Sequence, residues 1–125
     1  MMVRGIRGAT TVSRNGEKEI LDATGQLMTE IIERNSLQPE QVACVIVTVT
    51  QDLDAAFPAR AIRAIPGWEL VPLMGSVEMD AKGGLPLCVR IMVLANTDKG
   101  QEEIRHVYLN GAAVLRPDLA GRHET

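Results

Sequence analysis

Residues 85–96 read LPLCVRIMVLAN, and the conformation of this run decides the fold. It is almost wholly apolar, carries the β-branched residues Val89, Ile91 and Val93, and follows the turn pair Gly83-Gly84, so a strand is expected. Side chains alternate along a strand, which puts Leu85, Leu87, Val89, Ile91 and Val93 on one face and Cys88, Arg90 and Met92 on the other. Arg90 is the anomaly. A guanidinium keeps its charge and is costly to bury alone, so three readings stand open. It has an anionic partner, it borders a water-filled cleft, or it sits at an edge where its head reaches solvent.

The segments on either side supply the rest of a sheet. Val42 to Thr50, VACVIVTVT, is apolar on both faces, which marks a central strand. Met2 to Val12 reads as the first strand, with Arg7 on the face opposite Ile6, and Gly5 and Gly8 there suggest close approach of a backbone or ligand. Trp68 to Met74 is read as the third strand, and Ile104 to Leu109, carrying Tyr108, as the fifth. Between Gly16 and Asn35, Ile20, Leu21, Leu27, Met28, Ile31 and Ile32 recur at helical spacing among charged residues. Asn15 is the expected N-cap of that helix, and Asn35-Ser36 ends it before Pro39. Pro58 opens a second helix through Ile65, stopped by Pro66-Gly67, with Arg60 and Arg63 on a different face from Ile62 and Ile65. Residues 75–84 read as a turn-rich segment holding Glu78 and Asp80, and the chain beyond Leu109 loses periodicity, as a mobile tail from about residue 116 would.

The expected fold is therefore α+β, a mixed five-stranded sheet with helices on one face, in a single domain over residues 1–125. Two helices cover one face only. The other needs a partner, and self-association with clefts at subunit junctions supplies it. A net charge of -3 and single Phe, Trp and Tyr residues argue against nucleic-acid binding. The apolar runs are too short to span a membrane and MMVRGIRG lacks the apolar stretch of a signal peptide, so a cytoplasmic location is expected. Cys44 and Cys88 lie inside apolar strands and read as buried free thiols; with only His106 and His123 besides, no metal site is expected.

RGIRGATTV at the start, DLDAAFPARAIR, VEMDAKGGLPLCVRIMV, and IRHVYLNGAAVLRPDL at the end resemble, in order and in register, the AroH-class monofunctional chorismate mutases from Met2 to Leu119. The resemblance implies a trimeric pseudo α/β barrel with active sites at the subunit interfaces. It also implies the Claisen rearrangement of chorismate to prephenate, on the way to phenylalanine and tyrosine, with no cofactor. Position by position, it implies that Arg90 donates to the breaking ether oxygen and a nearby carboxylate, and that Arg7 and Tyr108 bind the side-chain carboxylate. Glu78 would accept from the ring hydroxyl, and Arg63 would approach the ring carboxylate from a neighbouring subunit, beside Arg60. Phe57 and Ala59 would line the wall, Leu73, Met74 and Leu115 would contact substrate, and Arg116 would fold over the ligand. Met74 stands where relatives have threonine, Arg60 where they have lysine, and Gly75 where a cysteine is common, leaving only a backbone contact to the ring hydroxyl at position 75. Two other classes share these arginines: a non-catalytic oligomeric sensor of a small carboxylate metabolite, and a structural trimer whose buried charges are ion pairs.

Overall fold

In the computed structural model, which describes residues 1–120, the strands are β1 (Met2–Thr11), β2 (Val42–Val49), β3 (Leu73–Val77), β4 (Cys88–Thr97) and β5 (Val107–Tyr108). The helices are α1 (Glu17–Asn35), α2 (Ala59–Arg63) and α3 (Pro117–Ala120). The strands form one mixed sheet in the order β3-β2-β4-β1-β5. β4 occupies the middle, antiparallel to both β1 and β2, while the edge strands β3 and β5 run parallel to their neighbours.

Register gives the sheet two unlike faces. Ile6, Val45, Val47, Val89, Ile91, Val93 and Val107 are buried on one face, against Ile20, Leu27, Met28 and Ile31 of α1. Burying each such side chain stabilises the fold by about 1.5–3 kcal/mol. Register puts Gly8 on that face, where a Cβ would come within 2.6 Å of Ile31 Cδ1 and 3.1 Å of Leu27 Cδ1. Its missing side chain lets α1 sit close. The opposite face carries Arg7, Ala9, Ile46, Thr48, Arg90, Met92 and Tyr108. A 3-10 helix over Asn110–Leu115 covers one corner of it, packing Ala112 and Leu115 near Ala9 and Cys88.

Several boundaries differ from those expected of the sequence. β4 begins at Cys88 rather than Leu85, because Leu87 takes a left-handed φ of 50° and ends the alternation. Leu85 accordingly packs with Ala9, Cys88 and Ala112, away from the face of Val89. Asp52 Oδ2 accepts the Leu87 N–H at 3.0 Å, and Thr50 Oγ1 accepts the Cys88 N–H at 3.0 Å, so the bend is braced from the end of β2. The third strand spans Leu73–Val77, not 68–74; Trp68 is buried in a turn, its N–H bonded to the Ile65 carbonyl. β5 keeps two residues of the six expected. Gly16, not Asn15, caps α1, and Asn15 Oδ1 instead accepts the N–H groups of Asp54 and Ala55. Residues 110–120, expected without order, are two short helical pieces, while the rest of the expected tail, with His123, lies outside the described residues. Cys44 and Cys88 are both free thiols, but Cys44 is only half-buried. Among the described residues, no helix is long and apolar enough to cross a membrane.

The end of α1 is tied down by one buried amide. Asn35 Nδ2 donates to the carbonyls of Ile31 and Arg105, each at 2.9 Å, and Oδ1 accepts the Arg105 N–H at 2.8 Å. Asn35→Ala strands both backbone groups of Arg105 and is expected to cost about 1–3 kcal/mol in urea denaturation. Asn35→Asp should recover little of this, because a carboxylate faces two carbonyl oxygens with no proton to offer.

Candidate active site

Two adjacent rows cross the open face of the sheet. In one, Thr48 on β2 pairs with Arg90 on β4, Arg90 with Ala9 on β1, and Ala9 with Tyr108 on β5. In the next, Ile46 pairs with Met92 and Met92 with Arg7. The small side chain of Ala9 leaves a hollow between Arg90 and Tyr108. A cleft of about 230 Å³ results, lined by Arg7, Ala9, Thr48, Glu78, Arg90 and Tyr108 among others. Glu78 enters from the first position past β3, where its N–H bonds the Val49 carbonyl at 2.7 Å. A second hollow, bordered by Asp52, Asp80 and Leu85, shares Glu78 and Arg90 with the first.

The charges in this cleft are near one another without being spent on one another. Arg90 Nε lies 3.6 Å from Glu78 Oε2, an ion pair too long for a hydrogen bond. That same oxygen accepts the Thr48 hydroxyl at 2.5 Å. Arg90 Nε is buried and has no hydrogen-bond partner among the described residues. A buried donor without an acceptor costs about 1–3 kcal/mol, which an incoming oxygen ligand would recover. His106, in the approach to β5, accepts the backbone N–H of Arg7 on Nδ1 at 2.9 Å and so holds the two segments together. Arg116 forms a forked pair with Asp118, Nε to Oδ1 at 3.1 Å and Nη2 to Oδ2 at 2.9 Å.

Of the residues singled out in the sequence, Arg7, Glu78, Arg90 and Tyr108 come together in the cleft. Leu115 and Tyr108 both pack against the small cluster of Ala9, Cys88 and Ala112, and Met74 pairs with Ile46 on the same face, 69% exposed. Arg116 is near Tyr108 but spent on Asp118, and the remaining six do not line the cleft within this chain. Arg60 and Arg63 line a groove between α1 and α2 with Asp22 and Gln26, and Arg60 pairs with Glu17 at 3.6 Å. Phe57 is 79% exposed just ahead of α2, which Ala59 opens. Leu73 packs against the helix-side core, and Gly75 pairs with Val47 on β2. Thr48, which also lines the cleft, is not marked out by the sequence. Alternation along β2 did put Thr48 on the face of Ile46, but only the β2–β4 register sets it opposite Arg90.

Residues 3–119 match the family described as chorismate mutase type I. The chain is 52% identical over 120 residues to chorismate mutase AroH of Bacillus subtilis (strain 168), an alignment spanning 96% of this chain and 94% of the relative. It is 49% identical over 119 residues to chorismate mutase AroH of Thermus thermophilus, spanning 94% and 97%. Among solved structures it is similar to a chorismate mutase from Clostridium thermocellum, with a TM-score of 0.86 and 50% identity over 89% of this chain and 98% of that one.

Cys88 stands two residues from Arg90 on the same face of β4. Burial pushes its thiol above the ordinary value of 9.0, and the positive charge of Arg90 offsets this only in part. Above that pH the unfolded chain loses the Cys88 proton while the folded chain keeps it, so the unfolded state binds fewer protons and stability falls as pH rises. Below it the contribution is fully present. Melting temperatures between pH 8 and 11 should therefore decline, and Cys88→Ala should make the decline shallower.

Proposed function

The chain belongs to the chorismate mutase type I family, and from that premise we propose how the cleft on the open face of its sheet carries the reaction. The protein is a chorismate mutase, an isomerase of aromatic amino acid biosynthesis that converts chorismate to prephenate. In this Claisen rearrangement an ether C–O bond breaks as a C–C bond forms within one molecule. Atoms and electrons balance without an oxidant, a nucleophile or a proton from outside. The protein has two tasks, to hold the substrate in its folded reactive conformer and to stabilise the charge that separates in the transition state.

The observation that carries the assignment is the buried Arg90 Nε with no acceptor of its own. Negative charge builds on the ether oxygen as its bond lengthens, so a fixed donor there is stabilised more by the transition state than by the ground state. Glu78, held at 3.6 Å from Nε, accepts from the ring hydroxyl and favours positive charge on the allylic fragment. Arg7 and Tyr108 bind the side-chain carboxylate. Chorismate is a dianion and the chain carries a net charge of -3, so capture depends on local focusing by these arginines. Leu115 closes over the substrate, and Arg116 does so by exchanging Asp118 for a substrate oxygen.

The active assembly in this reading is a homotrimer with clefts between subunits. Two features support it. The open face exposes Met74 and leaves Ile46, Met92 and Leu94 partly uncovered, and the α2 residues lie apart from the cleft of their own chain. Arg63, with Arg60, Phe57 and Ala59, serves the cleft of the adjacent subunit, while Leu73 and Gly75 contribute backbone at its wall. The whole chain acts as one domain, and its two free thiols suit a reducing cytoplasm.

Removing one preorganised donor at a developing oxyanion costs about 2.7–4 kcal/mol, so Arg90→Ala should lose two to three decades in kcat. Arg90→Lys should regain only part, since an ammonium lacks the planar fork. Loss of chorismate absorbance, with prephenate identified as product, measures both, and full turnover by Arg90→Ala would overturn the assignment. The shared site has its own check. Arg63→Ala and Arg90→Ala chains, unfolded together and refolded at equal amounts, should regain intact sites at roughly a quarter of positions by random assembly. Activity no greater than the mean of the separate variants would put Arg63 outside the neighbour's cleft.

A further inference from the structure

We propose that Thr48 is a positioning residue that holds the Glu78 carboxylate off Arg90 and so keeps the Arg90 Nε–H free for substrate. The inference rests on the roles assigned above to Glu78 and Arg90. Both groups compete for a single oxygen. Glu78 Oε2 accepts the Thr48 hydroxyl at 2.5 Å and stands 3.6 Å from Arg90 Nε. A carboxylate and a guanidinium left to themselves close to about 2.7–2.9 Å in a charge-assisted hydrogen bond. Here they do not, although nothing else takes that N–H among the described residues. The strand order explains how the spacing is kept. β2 lies between β3 and β4, so Thr48 pairs with Arg90 on one side and with Ser76, two residues before Glu78, on the other. The Glu78 N–H is fixed to the neighbouring Val49 carbonyl, which leaves its side chain to choose between hydroxyl and guanidinium.

Without the hydroxyl, Glu78 closes on Arg90, and substrate must then break a partly buried ion pair before it can use the donor. The loss should fall on binding rather than on the chemical step. Thr48→Val keeps the β-branched shape and removes the donor. It should raise KM, and the dissociation constant for prephenate measured by titration calorimetry, about tenfold, with a much smaller change in kcat, as expected for one hydrogen bond to a charged group. Thr48→Ala should behave alike should the valine methyl disturb folding, and Thr48→Ser should restore wild-type values. In a Glu78→Ala background, Thr48→Val should leave prephenate affinity unchanged, since no carboxylate remains to close. Wild-type KM in both Thr48→Val and Thr48→Ala would overturn the proposal. So would failure of serine to rescue, or an equal loss in the Glu78→Ala background, which would mark Thr48 as packing alone. Wild-type turnover by Glu78→Ala would instead overturn the role of Glu78, and the Thr48 proposal with it.

Discussion

A permanent charge in the middle strand of the sheet sets the terms for everything around it. Arg90 cannot shed its proton, and although its side chain is partly exposed its Nε is buried without an acceptor, so the fold carries the cost of an unpaired donor at the centre of β4. A carboxylate close by offsets that cost. A carboxylate in direct contact would also consume the donor. Glu78 at 3.6 Å is the intermediate arrangement, near enough for Coulomb attraction and too far for a hydrogen bond. Holding two opposite charges at that separation requires rigid attachment of both, and the neighbouring strands supply it.

That rigidity comes from the division of the sheet into two faces. Apolar burial is concentrated on the side of α1, where Gly8 lets the helix approach and the core residues stack beneath it. The open face is thereby freed from contributing most of the hydrophobic stabilisation, and it can hold arginines, hydroxyls and a carboxylate. Catalysis of a unimolecular rearrangement depends on such a platform, because fixed dipoles and charges need no reorganisation as the transition state forms. The same division leaves apolar side chains such as Met74 in contact with solvent in a single chain, which is the physical reason to expect assembly.

The entrance to β4 shows how a polar brace substitutes for regular structure. Leu87 adopts a left-handed φ of 50°, a conformation unfavourable for a bulky side chain, and Asp52 takes its N–H. Thr50 takes the N–H of the next residue, Cys88. These bonds fix the point at which the strand begins, and with it the face on which Cys88 and Arg90 emerge. A slip of one residue would turn Arg90 into the core beneath α1.

The helix over residues 17–35, the strands around Val45 and Val89, and the face from which Arg90 projects were legible in the chain, because these follow from short periodicities within one segment. The stretches around Arg7, Phe57, Glu78 and Tyr108 also carried the family likeness. The tertiary structure alone decided that Glu78 stands opposite Arg90, that Thr48 bonds it, that the third strand lies at 73–77, and that Asn35 pins the helix to Arg105. Alternation along a strand is the same whichever strand lies beside it. Which residues meet across the sheet depends on hydrogen bonds between segments distant in the chain, and no single segment contains that information.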